Sequence, residues 1–199
     1  MPEKDTLYTG LDAINQAIES IWNKNANTFS INLATRSLRL GFEALPSLMS
    51  GDDCSANREA MSECSLLAGL AISQTRTALC HSISYPLTAH FNVPHGLACA
   101  FTMPVILKHN LLVDDGRFLS LAKCLIGEDA TTNDLADLFN KLHKNSNVCL
   151  DVRDKVKNKN NLLNLIPEMI TQGRADNSLF NTNDETIKTI IEESWEINS

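Results

Sequence analysis

The chain has 199 residues, 43% hydrophobic and 21% charged, which is enough apolar side chain for one sizeable core in a soluble globular domain. A formal net charge of −7 excludes a general attraction to phosphate backbones or anionic lipid, so neither nucleic acid nor a membrane is expected as a partner. The 8 glycines are dispersed along the chain, which excludes the clustered-glycine loops of dinucleotide and P-loop sites.

The opening MPEKDTLYTG has no apolar run of the kind a secretory signal needs, so a reducing, cytoplasmic setting is expected. The first predicted helix carries Leu11, Ile14, Ile18, Ile21 and Trp22 at three- and four-residue intervals, with Asp12, Gln16, Glu19 and Asn23 opposite. A second runs from about Ser30 to Leu45, and Pro46 is expected to end it. A loop from Ser47 to Asn57, with Gly51, Asp52 and Asp53, leads to a third helix over about Arg58 to Leu79. Ala60, Ala68, Gly69, Ala71, Ser73 and Ala78 mark that helix as the central, buried one, while Glu59, Glu63, Gln74 and Arg76 exclude a membrane span.

Ser82 to Pro94 reads as turn-rich, because Pro86 and Pro94 push the residues before them toward extended backbone. The next helix starts near Gly96 and is expected to end or kink at Pro104. Helices follow over Phe118 to Leu125 and Asn133 to His143, then a polar Lys- and Asn-rich stretch, then helices over Leu162 to Ile170 and Asn183 to Trp195. Asn183 or Asp184 caps the last. No run of alternating β-branched residues occurs, so residues 1–199 read as one all-α, bundle-like helical domain without internal repeat.

Six cysteines lie ten or more residues apart with no CxxC pair, and four of them sit among small apolar residues as buried thiols would. Three of the five histidines, His81, His90 and His95, fall within fifteen residues. Each taken alone reads as a surface or satisfied core residue, and a spacing of fourteen is no standard metal motif. With His81 at the end of one helix and His95 at the start of the next, an intervening loop can bring both imidazoles together, and two imidazoles with a carboxylate suit Zn²⁺ or Fe²⁺. Asp12 is a candidate carboxylate with Gln16 one turn on; the plainer reading is a first-turn carboxylate on the helix dipole and a solvated amide.

The order of these features resembles the iron-containing alcohol dehydrogenase family over most of the chain, most closely at Gly10 to Ser20, Met61 to Gly69 and His81 to Gly96, with a fainter echo at Gly173 to Asn177. The resemblance implies the family's C-terminal helical domain, in the dehydroquinate synthase-like mould, with a divalent metal (Fe²⁺ or Zn²⁺) at Asp12, Gln16, His81 and His95. Gln16 stands where the family pattern has histidine, and Tyr85 where many members have another; an amide oxygen is the weaker, uncharged ligand. These features look like the branch that includes phosphonoacetaldehyde reductases. The resemblance further implies an NAD(P)-dependent alcohol or aldehyde oxidoreductase, with His90 or Tyr85 passing the proton. The N-terminal nucleotide-binding α/β domain is expected to be absent, leaving the chain a truncated half, inactive alone, with an exposed face for that domain or for self-association. The alternative is a stand-alone, non-catalytic helical binding or assembly protein that keeps the fold.

Overall fold

The computed structural model describes residues 1–197, and no β-strand occurs among them. Eleven α-helices follow in order: α1 Glu3–Ile21, α2 Thr28–Met49, α3 Ser55–Thr75, α4 Leu79–Phe91, α5 His95–Leu111, α6 Arg117–Leu125, α7 Thr132–Asn145, α8 Val148–Val156, α9 Lys159–Leu163, α10 Ile166–Met169 and α11 Asp184–Glu196. Side-chain caps start several of them: Asn27 for α2, Thr131 for α7 and, where expected, Asn183 for α11, which accepts from the Thr186 N–H. None of the helices described is long and apolar enough to cross a membrane.

The architecture is the all-helical one expected, but its centre lies elsewhere than the composition suggests. Helix α3 buries only the stripe Cys64, Ala68, Ala71 and Thr75, and it exposes Leu66 and Leu70. Small side chains there let α3 lie close on α1 and α2 without being enclosed. The central helix is α5, thirteen of whose seventeen residues are buried, packed against α1, α4, α7, α8 and α11.

The prolines account for the other differences. Helix α2 runs through Pro46 to Met49, α5 runs through Pro104, and the stretch read as turn-rich is α4, with Pro86 in its interior. Each interior proline removes one backbone donor at a cost of about 3 kcal/mol. Pro86 and Pro104 are themselves buried among apolar neighbours, and the area removed from water on those faces offsets the loss. The Lys- and Asn-rich stretch after His143 also contains a helix, α8, with Val148, Cys149, Val152 and Val156 on its buried side.

Two junctions shape the site. Arg76, with φ 66°, ends α3 and turns the chain into α4, and its carbonyl accepts from the Asn23 side chain. At the far end of α4, Asn92 takes a left-handed conformation (φ 53°, ψ 33°), and the Val93 N–H donates to the Leu87 carbonyl in a Schellman-type close. Val93 and the extended Pro94 then carry the chain back along α4, so that α5 begins beside the first turns of α4.

Candidate metal centre

Three helices deliver side chains to one point. Asp12 lies in the third turn of α1, not the first, so its carboxylate does not serve the helix dipole. His81 stands in the first turn of α4, and His95 is the first residue of α5. The fold-back after Asn92 brings their rings to 5.3 Å between centroids. Asp12 Oδ1 is 3.5 Å from His81 Nε2 and 3.7 Å from His95 Nε2.

The approach of α5 to α1 depends on Gly96. A Cβ at that position would lie 1.8 Å from the Tyr8 carbonyl oxygen and 3.1 Å from Asp12 Cβ. Glycine is thus the residue that lets His95 meet Asp12.

The imidazoles are oriented from behind. Glu19, fully buried two turns along α1 from Asp12, accepts the His81 Nδ1–H at 2.7 Å. Its carboxylate also accepts the backbone N–H groups of Ala78 (2.8 Å) and His81 (3.2 Å), which caps α4 from a neighbouring helix. With Nδ1 committed as a donor to Glu19, His81 turns its Nε2 toward Asp12. The Ser84 hydroxyl donates to the His81 carbonyl at 2.8 Å and lies 3.4 Å from His95 Nδ1, leaving His95 Nε2 for the cluster. The Gln16 amide nitrogen donates to Asp12 Oδ2 at 2.9 Å, so Oδ1 is the oxygen that faces the imidazoles.

A fourth group, which sequence reasoning placed among inert core thiols, also enters. Cys99, one turn after His95 on α5, puts its sulfur 3.7 Å from His95 Nε2, and one donor atom each from Asp12, His81, His95 and Cys99 lie within 4.8 Å of one another. Burial penalises the His81 imidazolium, yet Glu19 above all, with Cys99 and Asp12, outweighs it and raises the His81 pKa. Hydrogen bonding to Cys99 raises that of His95 against partial burial, with Asp12 adding to the rise. Burial would push the Cys99 thiol up, but the two imidazoles bring it below its usual range.

Asp12 Oδ1 is buried and has no hydrogen-bond partner. Leaving a carboxylate oxygen so costs free energy unless a cation meets it. A tetrahedral divalent ion with bonds of about 2.0–2.3 Å holds neighbouring donors roughly 3.3–3.8 Å apart, which matches the distances from Asp12 Oδ1 to the two imidazole nitrogens. The donor set therefore fits a divalent metal.

The remaining predicted residues divide. Tyr85, one turn after His81, stacks on His95 with rings 6.0 Å apart and inclined by 14°, and the Arg174 guanidinium lies over its ring, 4.9 Å from the centroid. His90 sits in the last turn of α4, about 13 Å along the axis from His81, and pairs with Glu168 at 2.8 Å; the structure does not bring it to the cluster. Glu19 and Cys99 were missed, although their offsets of seven from Asp12 and four from His95 place each on the correct helical face.

Comparison with known proteins agrees with this geometry. Residues 6–195 match the model of the Fe-containing alcohol dehydrogenase family, C-terminal. The chain is 35% identical over 138 residues to the 1-propanol dehydrogenase of Salmonella typhimurium, covering 68% of this chain and 37% of the relative. It is 31% identical over 157 residues to the NADPH-dependent butanol dehydrogenase of Clostridium saccharobutylicum, covering 79% and 40%. The structure of sulfoacetaldehyde reductase from Bifidobacterium kashiwanohense in complex with NAD⁺ superposes with a TM-score of 0.85 at 25% identity, covering 98% of this chain and 51% of that one. The chain thus spans less than half the length of these curated relatives and about half that of the solved structure.

Proposed function

Because the chain belongs to the iron-containing alcohol dehydrogenase family, as its C-terminal helical domain, we propose that Asp12, His81 and His95 hold a divalent metal ion and that the domain forms the metal and substrate half of an NAD(P)-dependent alcohol or aldehyde oxidoreductase. The observation that carries this reading is the convergence of three donor atoms from α1, α4 and α5, with Asp12 Oδ1 buried and unpartnered between two imidazole nitrogens. The relatives named above, dehydrogenases of propanol and butanol and a sulfoacetaldehyde reductase, support a small alcohol or aldehyde as substrate class.

When bound, the ion supplies Lewis acidity to an alcohol or carbonyl oxygen. The protein's own residues supply the rest. Asp12 contributes the compensating negative charge, with Gln16 fixing which oxygen faces inward. Glu19 holds His81 in one tautomer and orientation. His95, whose side chain is 40% exposed, marks the side from which a substrate oxygen reaches the cluster. In this reading Tyr85, stacked on His95 with the Arg174 guanidinium over its ring, holds or passes the hydroxyl proton, a task to which the distant His90 is not suited. Hydride transfer also needs a nicotinamide held in near contact with the substrate carbon. That task is assigned to an α/β nucleotide-binding domain outside these helices, and the chain on its own is expected to show no turnover.

Metal analysis of protein produced in iron- or zinc-supplemented medium tests the reading. Stoichiometric metal in the parent, lost in Asp12→Ala and His95→Ala, is the expected result. A folded parent free of metal overturns it.

A further inference from the structure

Resting on the reading of Asp12, His81 and His95 as metal donors, we propose that Cys99 is a fourth protein donor to the same ion and that its thiolate biases the site toward zinc-like, thiophilic divalent metals. Position 16 carries no imidazole, and the Gln16 amide is engaged with Asp12 Oδ2. The donor that α1 does not provide comes instead from the opposite wall, α5, where Cys99 lies one turn beyond His95 on the same face.

The sulfur's surroundings separate Cys99 from the other buried thiols. Cys64 meets the Ser37 hydroxyl at 3.4 Å, and Cys149 donates to the Ser194 carbonyl at 3.2 Å and also lies 3.7 Å from His143 Nε2, but among the described residues neither thiol belongs to a group of three or more potential metal donors. Cys99 instead has both ring nitrogens of His95 within 3.7 and 4.0 Å and shares a 4.8 Å cluster with His81 and Asp12. It is fully buried on the most enclosed helix of the fold, so its direction is set by packing.

An Asp, two His and a Cys form a mixed N, O and S set that zinc accepts in tetrahedral geometry; the imidazole and carboxylate donors alone suit Zn²⁺ or Fe²⁺, and the added thiolate favours the softer, thiophilic ion. Binding displaces the thiol proton to solvent, because the thiolate is the ligand. With four protein donors, the site would hold a divalent ion more firmly than Asp12, His81 and His95 alone.

The test uses the full chain with Cys54→Ser and Cys124→Ser, which removes the two exposed thiols, stripped of metal and titrated with Co²⁺. Expected are stoichiometric visible d–d bands together with a thiolate-to-cobalt charge-transfer band in the near ultraviolet. Adding Cys99→Ser should abolish the near-ultraviolet band, keep the d–d bands, and weaken Zn²⁺ binding by no less than the roughly tenfold that outer-shell partners cost. Adding Cys80→Ser, a buried-thiol control, should leave the band in place. Visible bands without the charge-transfer band, or a band that survives Cys99→Ser, overturn the role of Cys99 while leaving the three-residue site intact. If Cys99→Ser fails to fold, Cys80→Ser decides: a retained band supports Cys99, and a lost band overturns it. Failure of the parent to bind Co²⁺ at all overturns the metal site and this proposal together.

Discussion

Glu19 Oε2 lies 2.7 Å from His81 Nδ1, with both side chains buried. One carboxylate thereby closes the N-terminus of α4 and fixes the imidazole that α4 presents to the cluster. Glu19→Gln keeps the size but leaves only one acceptor oxygen for three donors. It is expected to retain the helical circular dichroism of the parent while weakening Zn²⁺ binding about 10- to 100-fold in a calorimetric titration. Glu19→Ala removes the acceptors outright, and a urea titration should record a loss of about 3 kcal/mol or more. Unchanged metal affinity in Glu19→Gln would show that His81 is oriented without it.

Two glycines make opposite predictions. A Cβ on Gly96 would press on the Tyr8 backbone carbonyl, which no rotamer change can relieve, so Gly96→Ala should cost stability at or above the usual 1–3 kcal/mol of overpacking and open the Asp12–His95 pair. Gly69 is exposed in the middle of α3, and a methyl group added there would meet nothing within 4 Å, so Gly69→Ala should raise stability by about 0.5–1 kcal/mol. Thermal melts of the two variants beside the parent check both signs, and metal titration of Gly96→Ala checks the effect on the site.

The chain has six cysteines, of which Cys54 and Cys124 are exposed and Cys64, Cys80, Cys99 and Cys149 are buried, all of them free. A thiol reagent should therefore titrate two groups rapidly in the native protein and all six in denaturant. A third fast-reacting thiol in metal-free protein would place one of the buried four in an opening segment.

The amphipathic segments were legible where apolar spacing marked a buried face: Leu11, Ile14, Ile18 and Ile21 form that face of α1, although the helix begins eight residues earlier at Glu3 without a side-chain cap, and Asn183 opens α11 where capping chemistry puts it. What misled was punctuation without packing. Pro86 in a short run looked like a turn, yet the residues around it are buried and the helix persists. The alanines of α3 looked like a core, yet they form one narrow stripe. At the site, Asp12, His81 and His95 were visible through resemblance, and the reason for the fourteen-residue interval was not: it is one whole helix followed by a left-handed Asn92 and an extended return. Glu19 and Cys99 stayed hidden because a mid-helix glutamate usually faces solvent and a cysteine in an apolar run is usually a small hydrophobe. Only tertiary placement shows that each points at an imidazole.

His143 on α7 gives the fold a pH dependence independent of the cluster. It is fully buried beside Cys149, and burial lowers its pKa from the ordinary 6.5 to about 4. Below pH 6.5 the unfolded chain takes up a proton that the folded chain refuses until about pH 4, so stability falls as pH drops through that window and is flat above it. Between pH 7 and pH 5 the loss from this one group is about 2 kcal/mol. The charged groups of the metal cluster titrate alike in parent and variant and cancel in a difference. The stability of parent minus His143→Gln, from urea titrations in the presence of a chelator, should therefore decline by about that amount over the interval. A difference that stays constant with pH would mean that His143 gains its proton as readily in the folded chain as in the unfolded one.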